Sequence, residues 1–187
     1  MSDRFEFFET PLDGLTLVER KPRGDHRGYL ERVYCADEFE SLFAGKPITQ
    51  ANRSLTRKRG SVRGMHFQRP PHAETKLVTC LFGSVFDVAV DLRRTSPTFL
   101  RWHGELLSAD NHRSLLIPEG FAHGFQALAE DCQLLYLHSA SYRPDHEGGL
   151  HPQDPRVAIA WPEPVAEISA RDASHPFLGD GFDGASA

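Results

Sequence analysis

The stretch V-R-G-M-H-F-Q-R-P-P-H-A-E-T-K-L-V, residues 62–78, crowds two histidines, two arginines, a glutamate and a lysine into one short segment. Imidazole exchanges a proton near neutral pH, and an ammonium group stabilises an oxyanion that develops beside it. His66 and Lys76 could therefore share the work of removing a proton next to a carbonyl. A second chemistry is metal binding, with His66, His72, Glu74 and the distant His123 as donors. The downstream segment Pro118-Glu-Gly-Phe-Ala-His123 offers a single imidazole to such a set. The upstream segment reads His66-Phe67-Gln68, and an amide is a poor donor where an imidazole is needed. The favoured site is therefore free of metal and of cofactor. A third possibility is anion binding, because Arg53, Arg57, Lys58, Arg59 and Arg63 fall inside eleven positions. Such a bunch suits a sugar nucleotide, and it equally describes a solvated loop. Taken singly, His66 could be a hydrogen-bonded core histidine, Lys76 an exposed strand residue and Tyr136 a packing residue.

These side chains need a scaffold, and the residue pattern points to strands. Thirteen prolines and fifteen glycines punctuate brief apolar runs throughout the chain. Strand patterns are read at 15–19, 76–81, 84–92, 103–107, 113–117, 124–128 and 132–138, with turns at 109–111, 118–120 and 130–131. Within 84–92, Asp87 and Asp91 share a face with Val85 and Ala89, opposite Phe86, Val88 and Val90, so this strand is expected to line solvent or a polar cavity. Residues 36–44 predict a helix, with acids in the first turn and Gly45 then Pro47 at its stop. Short strands at such spacing argue for an all-β sandwich or barrel. The 187 residues are expected to form a single domain, 1–187, with a loose tail from about 179.

The bulk properties limit the partners. Lysine plus arginine total 21 against 26 acids, a net charge of −5, which disfavours a nucleic-acid partner. Cys35, Cys80 and Cys132 are odd in number and lack a CxxC spacing, as expected for a reduced, cytoplasmic protein without disulfides or a zinc knuckle. No apolar run approaches eighteen residues, and the start of the chain is acidic where a signal peptide is basic, so neither a membrane nor export is expected.

A longer series of motifs narrows the reading. V-R-G-M-H-F-Q, K-L-V, F-D-V-A-V-D-L-R, S-P-T-F, L-S-A-D-N, I-P-E-G-F-A-H-G-F, Y-x-P-x-x-E and D-P-x-x-x-I-x-W-P follow one another between Val62 and Pro162, with G-D-H-R-G and Q-A-N upstream. In this order they resemble the dTDP-4-dehydrorhamnose 3,5-epimerase family. The resemblance implies a double-stranded β-helix (cupin or jelly-roll) barrel with a few short helices. It also implies a homodimer, and an edge strand near the N-terminus could extend a partner's sheet. By the same resemblance His66 is the base that removes a proton beside the C4 ketone of a nucleotide-linked 4-keto-6-deoxy sugar. Asp172 orients it, Lys76 holds the enolate oxygen, and Tyr136 delivers a proton to the opposite face of the ring. Substrate contacts fall to Arg27, Gln50, Asn52, Arg63, Lys76, His123, Tyr142, Glu147 and Arg171.

The chain also departs from the family pattern. Glu31 stands one residue early and Arg32 takes the acid's usual place, while Gly148 and Pro152 replace an arginine and a tryptophan; Leu100 and Arg101 precede Trp102. These changes are expected in substrate-facing loops. The activity implied is inversion of C3 and C5 of dTDP-4-dehydro-6-deoxy-D-glucose. Alternatives are inversion of C3 alone or of another ketosugar, a metal-dependent cupin oxygenase or isomerase, and a binding module without turnover.

Overall fold

The computed structural model describes residues 3–185. Two antiparallel sheets face one another. The first runs, in spatial order, β1 (Phe5–Glu9), β2 (Thr16–Arg20), β10 (Arg113–Ile117), β7 (Lys76–Phe82), β12 (Cys132–His138) and β5 (Gln50–Thr56). The second runs β13 (Glu147–Gly149), β6 (Ser61–Gln68), β11 (Phe121–Ala127), β8 (Ser84–Asp91) and β9 (Trp102–Ser108), with β14 (Glu167–Ile168) parallel to β6. A small hairpin, β3 (Arg23–Asp25) and β4 (Gly28–Leu30), stands apart from both sheets. The only α-helices among the described residues are the single turns α1 (Ala36–Phe39) and α2 (Ala170–Ala173). The architecture is the jelly roll that the family resemblance implies.

Alternation along the strands builds the core. Val78, Cys80, Leu115, Ile117 and Leu134 of the first sheet meet Val85, Ala89, Leu107, Phe121 and Phe125 of the second. The outer face of the second sheet is also covered: Met65, Phe67, Val88 and Val90 pack with Leu150, Val157 and the partly buried Trp161 and Phe182. Both faces of β8 are thus packed, so the strand lines neither solvent nor the polar cavity that its acids led the sequence reading to expect. Asp87 and Asp91 on its inner side are fully buried: Asp91 is bonded by Arg93, Ser96 and Thr98, whereas Asp87 meets His123 through Oδ1 and its Oδ2 has no hydrogen-bond partner. A buried carboxylate is tolerated only with such partners.

Two expectations are corrected. The helix read over 36–44 is regular only to Phe39; Phe43 still bonds back to Phe39 and both rings are buried, but left-handed backbone at Ala44 (φ 51) and Gly45 (φ 71) ends the coil. The tail read as loose is tied down as far as Ala185, whose amide donates to Leu92, while Phe182 stacks on Phe99. Its apolar residues close the second core, which a polar-looking tail does not advertise.

Candidate functional site

The two sheets part around a cavity of about 740 Å³, a size typical of small-ligand sites. The same alternation that builds the core lines the cavity. On β12, Cys132 and Leu134 face the core, whereas the next two residues of that face, Tyr136 and His138, line the cavity. On β5 the cavity-lining series is Gln50, Asn52, Ser54 and Thr56; on β7 it is Lys76; on β6 and β11 it includes His66 and His123, which are register partners.

His66 forms a dyad with Asp172. Its Nε2 lies 2.8 Å from Asp172 Oδ1, and the other carboxylate oxygen accepts from the Gly64 amide at 3.1 Å. The local sequence explains the placement. Ser169 caps α2 and accepts the Asp172 backbone N–H at 3.0 Å, so the carboxylate is left to turn toward β6. Burial raises the Asp172 carboxyl, but the bonds from His66 and Gly64 outweigh it and hold the group below the ordinary carboxylate range. The imidazole is about 30% exposed toward the cavity while its carboxylate partner is almost fully enclosed.

Lys76 is nearly buried. Its Nζ donates to Glu74 Oε1 at 3.0 Å and reaches the His66 carbonyl at 3.5 Å. Glu74 Oε2 lies 2.9 Å from His138 Nδ1. Burial raises the Glu74 carboxyl, and His138 and Lys76 more than offset this, leaving it ionised below its ordinary range. Tyr136 comes from the sheet opposite His66; its hydroxyl lies 3.2 Å from Ser54 Oγ, and burial pushes the phenol well above the ordinary tyrosine range, so it stays protonated at neutral pH. His123 Nε2 lies 2.8 Å from Asp87 Oδ1.

The cavity therefore gathers His66, Asp172, Lys76, Tyr136, Gln50, Asn52, Arg63, His123, Tyr142, Glu147 and Arg171, all anticipated from the sequence. Arg171 pairs with Glu147, which also accepts from the Tyr142 hydroxyl at 2.8 Å. Arg27 is the exception. It sits on the turn between β3 and β4, forks onto Asp25 and is exposed, outside the cavity lining. The anticipated donor set of His66, His72, Glu74 and His123 does not assemble: His72 packs on His146, His123 is bonded to Asp87, and Glu74 already faces the Lys76 ammonium. Among the described residues, the group whose donor atoms approach within 4.8 Å is His66, Asp172 and His175.

Sequence reasoning missed Ser54 and Asp87 as partners of Tyr136 and His123, and it missed His138 altogether. Period-two alternation could have found two of them, because Ser54 follows Gln50 and Asn52 on one face and His138 follows Tyr136. The departures expected beside the substrate do not line the cavity: Arg32 pairs with Glu38, Gly148 fits against Phe67, and the Pro152 carbonyl accepts from Trp161.

Residues 9–180 match the family model described as dTDP-4-dehydrorhamnose 3,5-epimerase. A dTDP-4-dehydrorhamnose 3,5-epimerase of Salmonella typhimurium is 44% identical over 91% of this chain and 93% of its own length. A dTDP-4-dehydrorhamnose 3-epimerase of Streptomyces niveus is 40% identical over 92% of this chain and 83% of its own. The solved dTDP-6-deoxy-D-glucose-3,5-epimerase of Legionella pneumophila, in complex with dTDP-4-keto-L-rhamnose, superposes with a TM-score of 0.86 at 39% identity, covering 91% of each chain.

Proposed function

The chain belongs to the dTDP-4-dehydrorhamnose 3,5-epimerase family, and from that premise we propose the roles of its residues. The reaction is inversion of C3 and C5 of dTDP-4-dehydro-6-deoxy-D-glucose, giving dTDP-4-dehydro-L-rhamnose. His66 takes the proton from the carbon beside the C4 ketone, and the electron pair moves onto the ketone oxygen. Lys76 donates to that oxygen, where negative charge grows only as the C–H bond breaks, so the interaction is stronger in the transition state than in the ground state. Asp172 orients the imidazole and stabilises the imidazolium. Tyr136 then protonates the same carbon from the other side, and solvent restores both groups.

The observation that carries this reading is the placement of His66 on one sheet, paired with Asp172 of α2, and of a partly buried phenol, Tyr136, on the facing sheet, with one cavity between them. Inversion requires that arrangement, since a base returning its own proton regenerates the starting centre. Arg63 and Arg171 supply guanidinium groups suited to a diphosphate. The chain is proposed to act as a single-domain enzyme, a homodimer of a reducing, cytoplasmic compartment. The free state of Cys35, Cys80 and Cys132 supports the compartment, and no described helix is long and apolar enough to cross a membrane.

Turnover in deuterated water tests the reaction. Deuterium is expected at both C3 and C5 of the product, read by NMR or mass spectrometry. Label at C3 alone would convert the assignment to a C3 epimerase. Replacing His66 with Asn is expected to slow the exchange by about 10²- to 10⁴-fold while nucleotide affinity is kept.

A further inference from the structure

We infer that Gln50, Asn52, His138 and Glu74 form a directional hydrogen-bond chain that positions Lys76, with His138 held as the neutral Nδ1–H tautomer. The inference rests on the proposed role of Lys76, and it assigns work to two residues, Glu74 and His138, that the reaction itself does not use.

The direction of the chain follows from one backbone group. The Tyr142 N–H can only donate, and it meets Gln50 Oε1 at 2.9 Å. The Gln50 amide nitrogen must then face away, and it donates to Asn52 Oδ1 at 3.2 Å. Asn52 is thereby oriented with its NH₂ toward His138 Nε2, 3.4 Å away. A nitrogen that faces a donor must accept, so the His138 proton sits on Nδ1 and is given to Glu74 Oε2 at 2.9 Å. The remaining carboxylate oxygen, Glu74 Oε1, accepts from Lys76 Nζ at 3.0 Å. Reversing any one member would set two donors or two acceptors face to face; at the nearly buried His138–Glu74–Lys76 end this costs more than losing the bond alone, while Gln50 and Asn52 stand nearer solvent.

The consequence falls on the ammonium. Lys76 has three N–H donors; Glu74 and the His66 carbonyl take two, and the third is left for the cavity. Glu74 supplies the counter-charge that makes a nearly buried ammonium tolerable. His138 stops that carboxylate from rotating and fixes which of its oxygens meets Lys76. The chain begins on β5, crosses to β12 and ends at the start of β7, so it ties together three strands of one cavity wall. Lys76 is thus aimed before any substrate arrives, which is how a charged group stabilises a transition state without reorganising.

The test has a structural arm and a kinetic arm. In ¹⁵N-histidine-labelled enzyme at neutral pH, long-range ¹H–¹⁵N spectra should show His138 as neutral with the proton on Nδ1, its signals identified by their loss in His138→Phe. In Asn52→Asp, an acceptor replaces the NH₂ group and His138 should become doubly protonated. An Nε2–H tautomer in the unsubstituted enzyme, or no change in Asn52→Asp, overturns the chain. In the kinetic arm, Glu74→Gln and His138→Phe should lower kcat for deuterium exchange by about 10- to 100-fold, the scale on which outer partners tune a catalytic group, with KM changed by less than about threefold. His138→Asn, whose amide N–H can stand where Nδ1–H stood, should recover most of the loss. A fall in KM-governed binding alone, or no recovery in His138→Asn, overturns the positioning role. If the unsubstituted enzyme exchanges no sugar protons, the proposed reaction fails, while the tautomer still decides the chain.

Discussion

At the scale of single residues, the proposed base and acid, His66 and Tyr136, are separable by experiment because the proposal has them act on opposite faces of one carbon. In Tyr136→Phe the base is intact, so solvent deuterium should still enter beside the ketone, but it returns from the side it left. The expected outcome is label without inversion: exchange within about tenfold of the unsubstituted rate, with epimerised product lowered by at least about 10²-fold. Loss of both together would remove Tyr136 from the acid role. Asp172 carries a pH signature. Its folded-state ionisation lies below the ordinary carboxylate value, so the stability it contributes is complete above about pH 4 and is lost as pH falls through the lowered folded value. Thermal melts from pH 7 down to pH 3 should therefore show a steeper acid decline in the unsubstituted chain than in Asp172→Asn, which has no carboxylate there to titrate. Parallel declines would mean that the dyad bond contributes nothing to folding.

At the scale of elements, the dyad depends on how closely β6 approaches β11. Gly64 of β6 stands at φ 114 against β11, and a Cβ built there would stand 2.5 Å from Gly124 Cα and 2.7 Å from the His123 carbonyl oxygen. Both obstacles are backbone and cannot swing aside. Gly64→Ala should therefore cost roughly 2–4 kcal/mol from combined overpacking and left-handed strain, or about 2–4 °C in Tm per kcal/mol for a chain of this size. Because the Gly64 amide also holds Asp172, activity should fall beyond what the stability loss explains. An unchanged melting temperature would show that the strands can separate freely at that point. This contact is invisible in the sequence, where Gly64 is one glycine among fifteen. What was legible is the alternation: β7, β8, β9, β10 and β12 fall within a residue or two of their reading because each buries a periodic apolar face. Polar-lined β5 and β6 carry little such signal, since their inner faces serve the cavity instead of the core, and they emerged only as motifs. That His66, Lys76, Tyr136 and Asp172 belong to one site was legible through the resemblance, and they line one cavity. Their partners Glu74 as carboxylate to Lys76, Ser54 and His138 were not legible, because pairing across strands depends on register.

At the scale of the whole molecule, Arg27 poses the remaining question. The resemblance makes it a substrate contact, yet it lies on a hairpin tip outside the cavity of its own chain, beside Tyr29 and Leu30, which are 63% and 71% exposed. Two large apolar side chains so exposed on a short hairpin suit a surface that another protein covers. The proposed homodimer reconciles these facts if each hairpin reaches the cavity of the other protomer. The edge position of β1, which among the described residues pairs only with β2, offers a second seam along which two copies could join. Light scattering should then give twice the 21.0 kDa chain mass, and a monomer would remove the argument. Complementation supplies the sharper test. Arg27→Ala and His66→Asn should each be impaired as homodimers, the former mainly in KM. Unfolded together and refolded as a mixture, they form heterodimers in which one cavity combines an intact His66 with the other chain's intact Arg27, while the second cavity lacks both. Random pairing at equal amounts makes about half the dimers mixed, so about a quarter of all cavities regain full function. Activity that stays at the average of the two separate variants would mean that Arg27 serves its own chain or none, and the hairpin would then be a surface feature without a place in the site.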